Sequence, residues 1–389
     1  MDDFSHHSDW HEGGGKTACP DAAIGFLRLH QFRNYLHLDL SLNAKTILLT
    51  GPNGAGKTNL MEAVSLLCYG RGLRRAGRMD MGWQPASDSR PSLWSVYAEV
   101  TGPSGSASIG TGLQAEAGEI KRKYKINQAP ATQNALSDYI TLSWLTPQMD
   151  GLFLASPSSR RRFLDRLALA FDPAHSGRLQ RYEKAWRERN IMLSDQLGDE
   201  KWLRSVEQIL AETGVAIMAT RAEMIADINQ TSQKLDTCFP QIKARLTGEV
   251  AQWLDAGVPA IDIEDRILGL ASERRAKGDM AMPGAHEADF VLDYKGRSAE
   301  FASTGEQKAL LVSMILAHAK LQDMRLKRPP ILLLDDVAAH LDAKRRQELF
   351  DLCTTLSSQI WYSGADPSVF NDLSGDTQHL AIENGTVQP

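Results

Sequence analysis

The segment GPNGAGKT, residues 51–58, constrains this chain more than any other. It fits the pattern GxxxxGK[ST], and its context is the one that pattern needs. The preceding TILLT, residues 46–50, is a short run suited to a buried central strand, and a helical pattern follows over residues 59–69. Gly51, Gly54 and Gly56 allow a tight turn that aims backbone amides at phosphate oxygens. Pro52, Asn53, Ala55 and Asn59 belong to the same nucleotide-binding segment. The helix adds its positive end. Lys57 is expected to reach the β- and γ-phosphates, and Thr58 to offer an oxygen to magnesium. A glycine-rich turn that binds nothing is the alternative, and the flanking strand and helix argue against it.

A second acidic site lies almost three hundred residues on. ILLLDD, residues 331–336, is an apolar run ending in two carboxylates. A buried strand ending in Asp delivers charge to the sheet edge where such sheets bind ligands. Asp335 is expected to hold magnesium, directly or through water, and Asp336 to orient or deprotonate the attacking water. In isolation the pair also reads as a cap for the next helix. Between the two sites, Ser303 and Gly305 in STGEQ precede a helix over residues 306–321 that is apolar on one face. That is a second anion-binding helix end, although an ordinary capped helix start reads the same way. One phosphate loop needs one cradle, so the second invites a role on a nucleotide held by another copy.

The rest of the chain organises around these motifs. Residues 24–30 and 37–42 alternate like a half-buried antiparallel pair, and further strands are expected at 93–101, 107–113, 121–126, 290–294 and 330–334. From about 160 to 275 the sequence is helical, with an apolar stripe of Leu203, Val206, Leu210, Ile217, Met224 and Ile228. Heptads are not sustained, so a helical subdomain packing on itself is favoured over a long coiled coil. Residues 272–287 read as a loop. The expected division is a polar, disordered extension at 1–23, an ATPase lobe in two parts, 24–155 and 289–389, and a helical lobe at 156–288. The extension contains GGGKT at 13–17 and His6, His7 and His11, which read as parts of a disordered tail.

Composition bears on the partner. The net charge of −5 argues against a general polycation. Residues 1–22 hold five acids against one Lys, so most of that charge sits in the tail and the body is close to neutral. Its arginines gather locally, as Arg71, Arg74 and Arg75, as Arg160, Arg161 and Arg162, and with lysines in KRKYK at 121–125. Such clusters supply affinity for phosphates without reading sequence, although any one of them also reads as a solvated face or a salt-bridge partner. The 160–166 run also reads as a coupling between lobes. Cys19, Cys68, Cys238 and Cys353 form no CxxC pair, and no apolar run approaches the roughly 18–20 residues of a membrane span. A cytoplasmic location without a membrane partner is expected.

The order GPNGAGKT, PQ, STGEQ, ILLLDDV and HLD resembles the ABC-type ATPases, and most closely their RecF family. The segments LRLHQFRNYLHLDLSL, SSRRRFLDRL and PPILLLDDVAAHLDAKRR carry the same resemblance. It implies an α/β fold, an ABC-type P-loop ATPase head with an inserted, mainly helical second lobe. It implies a Q-loop glutamine at Gln148, signature residues Ser303, Gly305 and Gln307, and a D-loop aspartate at Asp342. Gln148 then joins Lys57, Asp335 and Asp336 as catalytic, and Thr58 and Asp335 as a metal ligand. Glu306 stands where the family usually has a second Gln, and Ser363 occupies the switch position where a His is usual. The implied function is an ATP-gated dimeric clamp on duplex or gapped DNA, with ATP and Mg as cofactors and slow hydrolysis. The resemblance further implies a RecR-type partner and links to gap repair and the damage response. An ABC-type ATPase coupled to a protein or membrane partner is the alternative. No CxxC suggests a zinc hook, and the 155 positions from Gln148 to Ser303 leave no room for long coils.

Overall fold

The computed structural model describes residues 21–83, 93–102, 104–116, 118–194, 199–373 and 375–388. The expected polar extension therefore lies outside the described residues, apart from its last three.

Strands β1 (Ala23–Phe32) and β2 (Tyr35–Ser41) pair antiparallel as their alternation predicts. They are followed by β3 (Thr46–Thr50) and helix α1 (Lys57–Ser65), which begins two residues earlier and ends four residues sooner than the sequence suggests. Next come β4 (Ser95–Gly102), β5 (Gly105–Glu116), β6 (Glu119–Ile126) and β7 (Ala129–Ala131). With β1 and β2 they form an antiparallel sheet in the order β2-β1-β4-β5-β6-β7. The short β8 (Leu142–Leu145) leaves this sheet and pairs with a later strand in a second one.

The helical stretch holds α2 (Pro157–Ala168), α3 (His175–Ser194) and α4 (Glu200–Lys234). A strand the sequence did not announce, β9 (Ala244–Thr247), precedes α5 (Glu249–Asp255) and α6 (Ala260–Ala276). Helix α6 thus runs into the segment expected to be a loop. Strands β10 (Asp289–Tyr294) and β11 (Arg297–Ser298) join β9 in a small antiparallel sheet. The chain ends with α7 (Thr304–Leu326), β12 (Ile331–Asp335), α8 (Ala343–Thr354), β13 (Ile360–Gly364), β14 (Thr377–Glu383) and β15 (Thr386–Gln388).

The second six-stranded sheet has the order β15-β14-β3-β13-β12-β8, parallel except at β15. Its strands are buried on both faces, which is why TILLT and ILLLD read as continuous apolar runs. Leu48, Leu332, Leu334, Ile360 and Tyr362 enter one core with α7. Ile47, Leu49, Ile331, Leu333 and Trp361 enter the other, shared with α1 and the antiparallel sheet. Each such aliphatic side chain contributes about 1.5–3 kcal/mol by leaving water.

A third core joins α3, α5, α6 and the first half of α4. The second half of α4 belongs to the α7 core, so this one helix, roughly 53 Å long, ties the two together. At the changeover Arg221 forms a bidentate pair with Asp165 of α2, at 2.7 and 2.8 Å, and His175 Nε2 meets the same carboxylate at 3.0 Å. All three are buried. Burial works to raise the Asp165 pKa, yet the hydrogen bonds from His175 and Arg221 prevail and hold it low. Helix α7 also departs from expectation. It is buried on every side over most of its length, including Gln307, Lys308, Ser313, His318 and Gln322, rather than along one apolar face.

Candidate nucleotide-binding site

The parallel sheet brings three loops to one edge. Strand β13 lies between β3 and β12, so the phosphate loop after β3 and the carboxylates after β12 flank Ser363 on β13. A cavity of about 170 Å³ opens there, lined by Asn53, Gly54, Gly56, Lys57, Thr58, Asn59, Arg74, Pro147, Asp335, Asp336 and Ser363. This is the crevice at the carboxyl ends of the strands where ligands of open α/β sheets bind.

The loop's shape depends on two glycines. Gly51 has φ 139°, and a side chain there would begin 2.1 Å from the Ile382 carbonyl oxygen. Gly56 has φ 124°, and a Cβ would stand 2.4 Å from the Asn34 amide and 2.6 Å from the Tyr35 hydroxyl. Those two side chains brace the loop from the β1–β2 turn. Asn34 Nδ2 donates to the Ala55 carbonyl at 2.9 Å, and Tyr35 donates to that of Gly56 at 3.0 Å. Asn59 Nδ2 donates to Asn34 Oδ1 at 2.7 Å, and the Gly385 amide donates to the Ala55 carbonyl at 3.1 Å. Asn34 and Tyr35 stand in the FRNY stretch, where strand alternation masks them as turn and core residues.

Lys57 is buried in the loop, its ammonium donating to the Gly51 and Pro52 carbonyls at 2.6 and 2.9 Å. Burial lowers its pKa, while Asp336 and then Asp335 raise it. Thr58 donates to Asp335 Oδ2 and Oδ1 at 2.9 and 3.1 Å. Ser363 donates to Asp335 Oδ1 at 2.5 Å and accepts from the Asp336 amide at 3.1 Å. Asp336 itself adopts φ 53°, a left-handed conformation uncommon for a residue with a side chain. Ser363, a candidate on the motif order alone, is thereby drawn into contact with the strand-end carboxylate.

The other candidates divide. Gln148 is exposed in the short turn after β8, whose Pro147 lines the cavity. Ser303 and Gly305 lie outside the cavity lining. Ser303 caps α7 in a reciprocal capping box with Glu306, which is also paired with Lys295 at 2.9 Å. The bond from Lys295, then those from Ser303, hold the Glu306 carboxyl down at about 2. Asp342 caps α8, accepting from the Arg345 amide at 2.9 Å. Gln307, implied as a nucleotide ligand, is 3% exposed, and its amide nitrogen donates to the carbonyls of Ala299, Glu300 and Ala302, fastening the preceding turn.

The arginine clusters are also redistributed. Arg74, expected on DNA, lines the nucleotide cavity and donates to Asn59 Oδ1 at 2.6 Å. Arg160 forms a bidentate pair with Asp289 at 2.9 and 2.6 Å, and Arg161 donates to the Ala288 carbonyl at 2.6 Å. Those two fasten α2 to the start of β10, the alternative reading of that run. Arg71, Arg75 and Arg162 are exposed. In KRKYK, Lys121 and Lys123 pair with Glu119 and Glu116, while Arg122 packs against Trp94 and Tyr124.

Comparison with known proteins gives a consistent picture. The family model described as "RecF/RecN/SMC N terminal domain" matches residues 23–381. A protein of Rhizobium meliloti (strain 1021), "DNA replication and repair protein RecF", is 42% identical over 371 residues, 93% of this chain and 97% of its own. A Mesorhizobium japonicum protein of the same name is 42% identical over 375 residues, 94% of this chain and 97% of its own. Among solved structures, "Structure of the recombination mediator protein RecF-ATPrS in RecFOR pathway" superposes with a TM-score of 0.80 at 20% identity, covering 95% of this chain and 98% of that one. The Smc head domain from Pyrococcus furiosus gives a TM-score of 0.52 at 16% identity, covering 94% and 95%.

Proposed function

The chain belongs to the RecF family of the RecF/RecN/SMC group, and on that premise we propose that it is an ATP-gated DNA clamp acting in replication and recombinational repair. The observation that carries this reading is the Thr58–Asp335–Ser363 network at the mouth of the phosphate loop, beside a lysine buried in the same loop.

Lys57 exchanges the Gly51 and Pro52 carbonyls for the β- and γ-phosphate oxygens of ATP. The Thr58 hydroxyl and the Asp335 carboxylate are hard oxygen donors that fit magnesium. Among the described residues no cluster of three or more His, Cys, Asp or Glu side chains could hold a metal, which suits an ion that keeps water and phosphate ligands. When bound, magnesium neutralises charge developing on the β- and γ-phosphate oxygens. Asp336 borders the cavity and orients the attacking water. Gln148 enters from the Pro147 turn when nucleotide fills the site. The Ser303–Gly305 helix end lies outside the cavity, so it serves the nucleotide of a second copy, with Asp342 alongside. ATP closes the homodimer on duplex or gapped DNA, and slow, DNA-stimulated hydrolysis opens it. A RecR-type mediator is the expected protein partner. Among the described residues no helix is long and apolar enough to cross a membrane.

The test is ATP turnover and sedimentation velocity with and without gapped duplex DNA, for the wild type and Lys57→Arg. ATP-dependent dimerisation and DNA-stimulated turnover, both lost in the variant, are expected. Normal turnover by the variant would refute the site. Turnover that responds to membrane extract but not to DNA would refute the clamp.

A further inference from the structure

We infer that His30 and His37 form a two-imidazole site for a divalent transition-metal ion, at the stem of the hairpin whose turn braces the phosphate loop. The site is separate from the oxygen donors Thr58 and Asp335, and it stands or falls independently of the DNA-binding reading.

The strand period sets the pair and the sheet aims it. Along β1 and β2 the side chains alternate, so Leu29 and Leu40 enter the core while Arg28, His30, His37 and Asp39 share the outer face. His30 stands directly opposite His37 in the antiparallel register, the first half-buried and the second exposed. Their Nδ1 atoms are 3.0 Å apart and their ring centroids 4.7 Å. A linear N–H···N bond of that length would hold the centroids farther apart, so the two rings meet at an angle rather than end to end.

The surroundings leave these nitrogens to each other. The next pair on the same face, Arg28 and Asp39, is closed by a bidentate ion pair at 2.8 and 2.7 Å, which occupies the nearest carboxylate. On the other flank β4 places Ser95 opposite His30. Among the described residues the two imidazoles form no other hydrogen bond. His175, His286 and His318 differ: each meets an oxygen, of Asp165, Tyr182 and Leu167 respectively. Only at His30 and His37, among the described residues, does imidazole nitrogen face imidazole nitrogen.

Two facing nitrogens share one proton or bind one metal ion. Imidazole nitrogens at about 2.0–2.1 Å from an ion, on adjacent square-planar or octahedral positions, lie about 2.8–3.0 Å apart, so the ion fits with the strands where they are. Imidazole suits nickel, copper and zinc, whereas magnesium prefers oxygen, and water completes the shell. The ion ties β1 to β2 two residues from Phe32 and Tyr35, the pair at which the turn begins. That turn carries Asn34 and Tyr35 to the Ala55 and Gly56 carbonyls of the phosphate loop.

The experiment is titration calorimetry of the full chain with NiCl2, at slightly alkaline pH where imidazole is neutral. The parent protein carries His6→Ala, His7→Ala and His11→Ala, so that the N-terminal histidines contribute no heat. Two nitrogens on one ion act bivalently, so His30→Ala and His37→Ala should each weaken nickel binding about a hundredfold, and the double variant little further. MgCl2 should show no binding that these substitutions remove. Without metal the variants should melt as the parent does, because both imidazoles lie on the outer face; this separates a lost ligand from a lost fold. Hydrogen exchange over residues 30–37, read by mass spectrometry, should slow with nickel in the parent and not in His37→Ala. Nickel affinity unchanged by both substitutions overturns the site and makes any bound ion adventitious. Binding that depends on one histidine alone, or binding without slower exchange, means that the ion does not join the strands, and overturns it equally.

Discussion

The hydroxyl of Thr58 reaches the carboxylate of Asp335 at 2.9 Å across 277 positions of sequence, and Ser363 meets the same carboxylate from the intervening strand at 2.5 Å. Parallel pairing of β12 and β13 puts Asp335 opposite Ser363, so the three groups are held by backbone register as well as by their own bonds.

Thr58 and Asp335 act as a unit. Thr58→Ala and Asp335→Asn should each lower kcat for ATP hydrolysis by about 10²–10³-fold. The double variant should be little worse than the weaker single, because coupled groups are not additive. Steady-state kinetics of the four proteins checks this, and fully additive losses would show that the contact plays no part in turnover.

Ser363→Ala removes the bond to Asp335 and the acceptor for the Asp336 amide. A hydrogen bond to a charged group is worth about 1.5–3 kcal/mol, so hydrolysis should fall roughly ten- to a hundredfold. ATP affinity, measured by titration calorimetry, should change less than kcat.

Gly56→Ala introduces a methyl where Asn34 and Tyr35 already stand, in a backbone region hostile to side chains. A destabilisation of about 1–3 kcal/mol is expected, together with loss of ATP binding. Thermal unfolding with and without ATP reads both effects; a retained ATP-dependent rise in Tm would contradict the bracing role of the β1–β2 turn.

Arg221→Met strands the buried Asp165 carboxylate and should cost about 3–5 kcal/mol in urea unfolding. Adding Asp165→Asn should recover part of the loss, since the uncompensated charge is then gone.

His318 gives the protein an acid-sensitive core. Burial holds its pKa down at about 4, against an unfolded value near 6.5, with the Leu167 carbonyl opposing and Arg166 reinforcing. The folded pKa is depressed and the neutral form is the native one. Its stabilisation is therefore complete above about pH 6.5 and is lost as pH falls towards 4, at up to about 1.4 kcal/mol per pH unit. His286, also lowered to about 4 by burial, then Arg161 and Arg189, adds to the same window. Urea midpoints measured across this range should rise with pH, and His318→Gln should flatten the rise.

The phosphate loop and the acidic strand were legible because their chemistry is local. Glycine spacing, a β-branched run and a terminal Asp pair each declare their geometry within ten residues. Helices were legible by period, though α7 was misjudged as one-sided: its buried Lys308, His318 and Gln322 look like a solvent face until their partners are known. Arginine clusters were the least legible, since charge runs say nothing about which carboxylates lie across the fold. Arg160 is neutralised by Asp289, 129 positions away, whereas Arg162 two residues later has no acid.

The sequence by itself determined that this chain places a glycine loop between a buried strand and a helix, and ends a second buried strand in an acidic pair. Tertiary structure alone decided that Ser363 joins the carboxylate, that Asn34 and Tyr35 brace the loop, that Gln307 turns inward, and which arginines stay unpaired. The physical reason is range. Turn and strand preferences act between neighbours, while hydrogen bonds and ion pairs form between whatever groups the packed sheet and helices bring within about 3 Å.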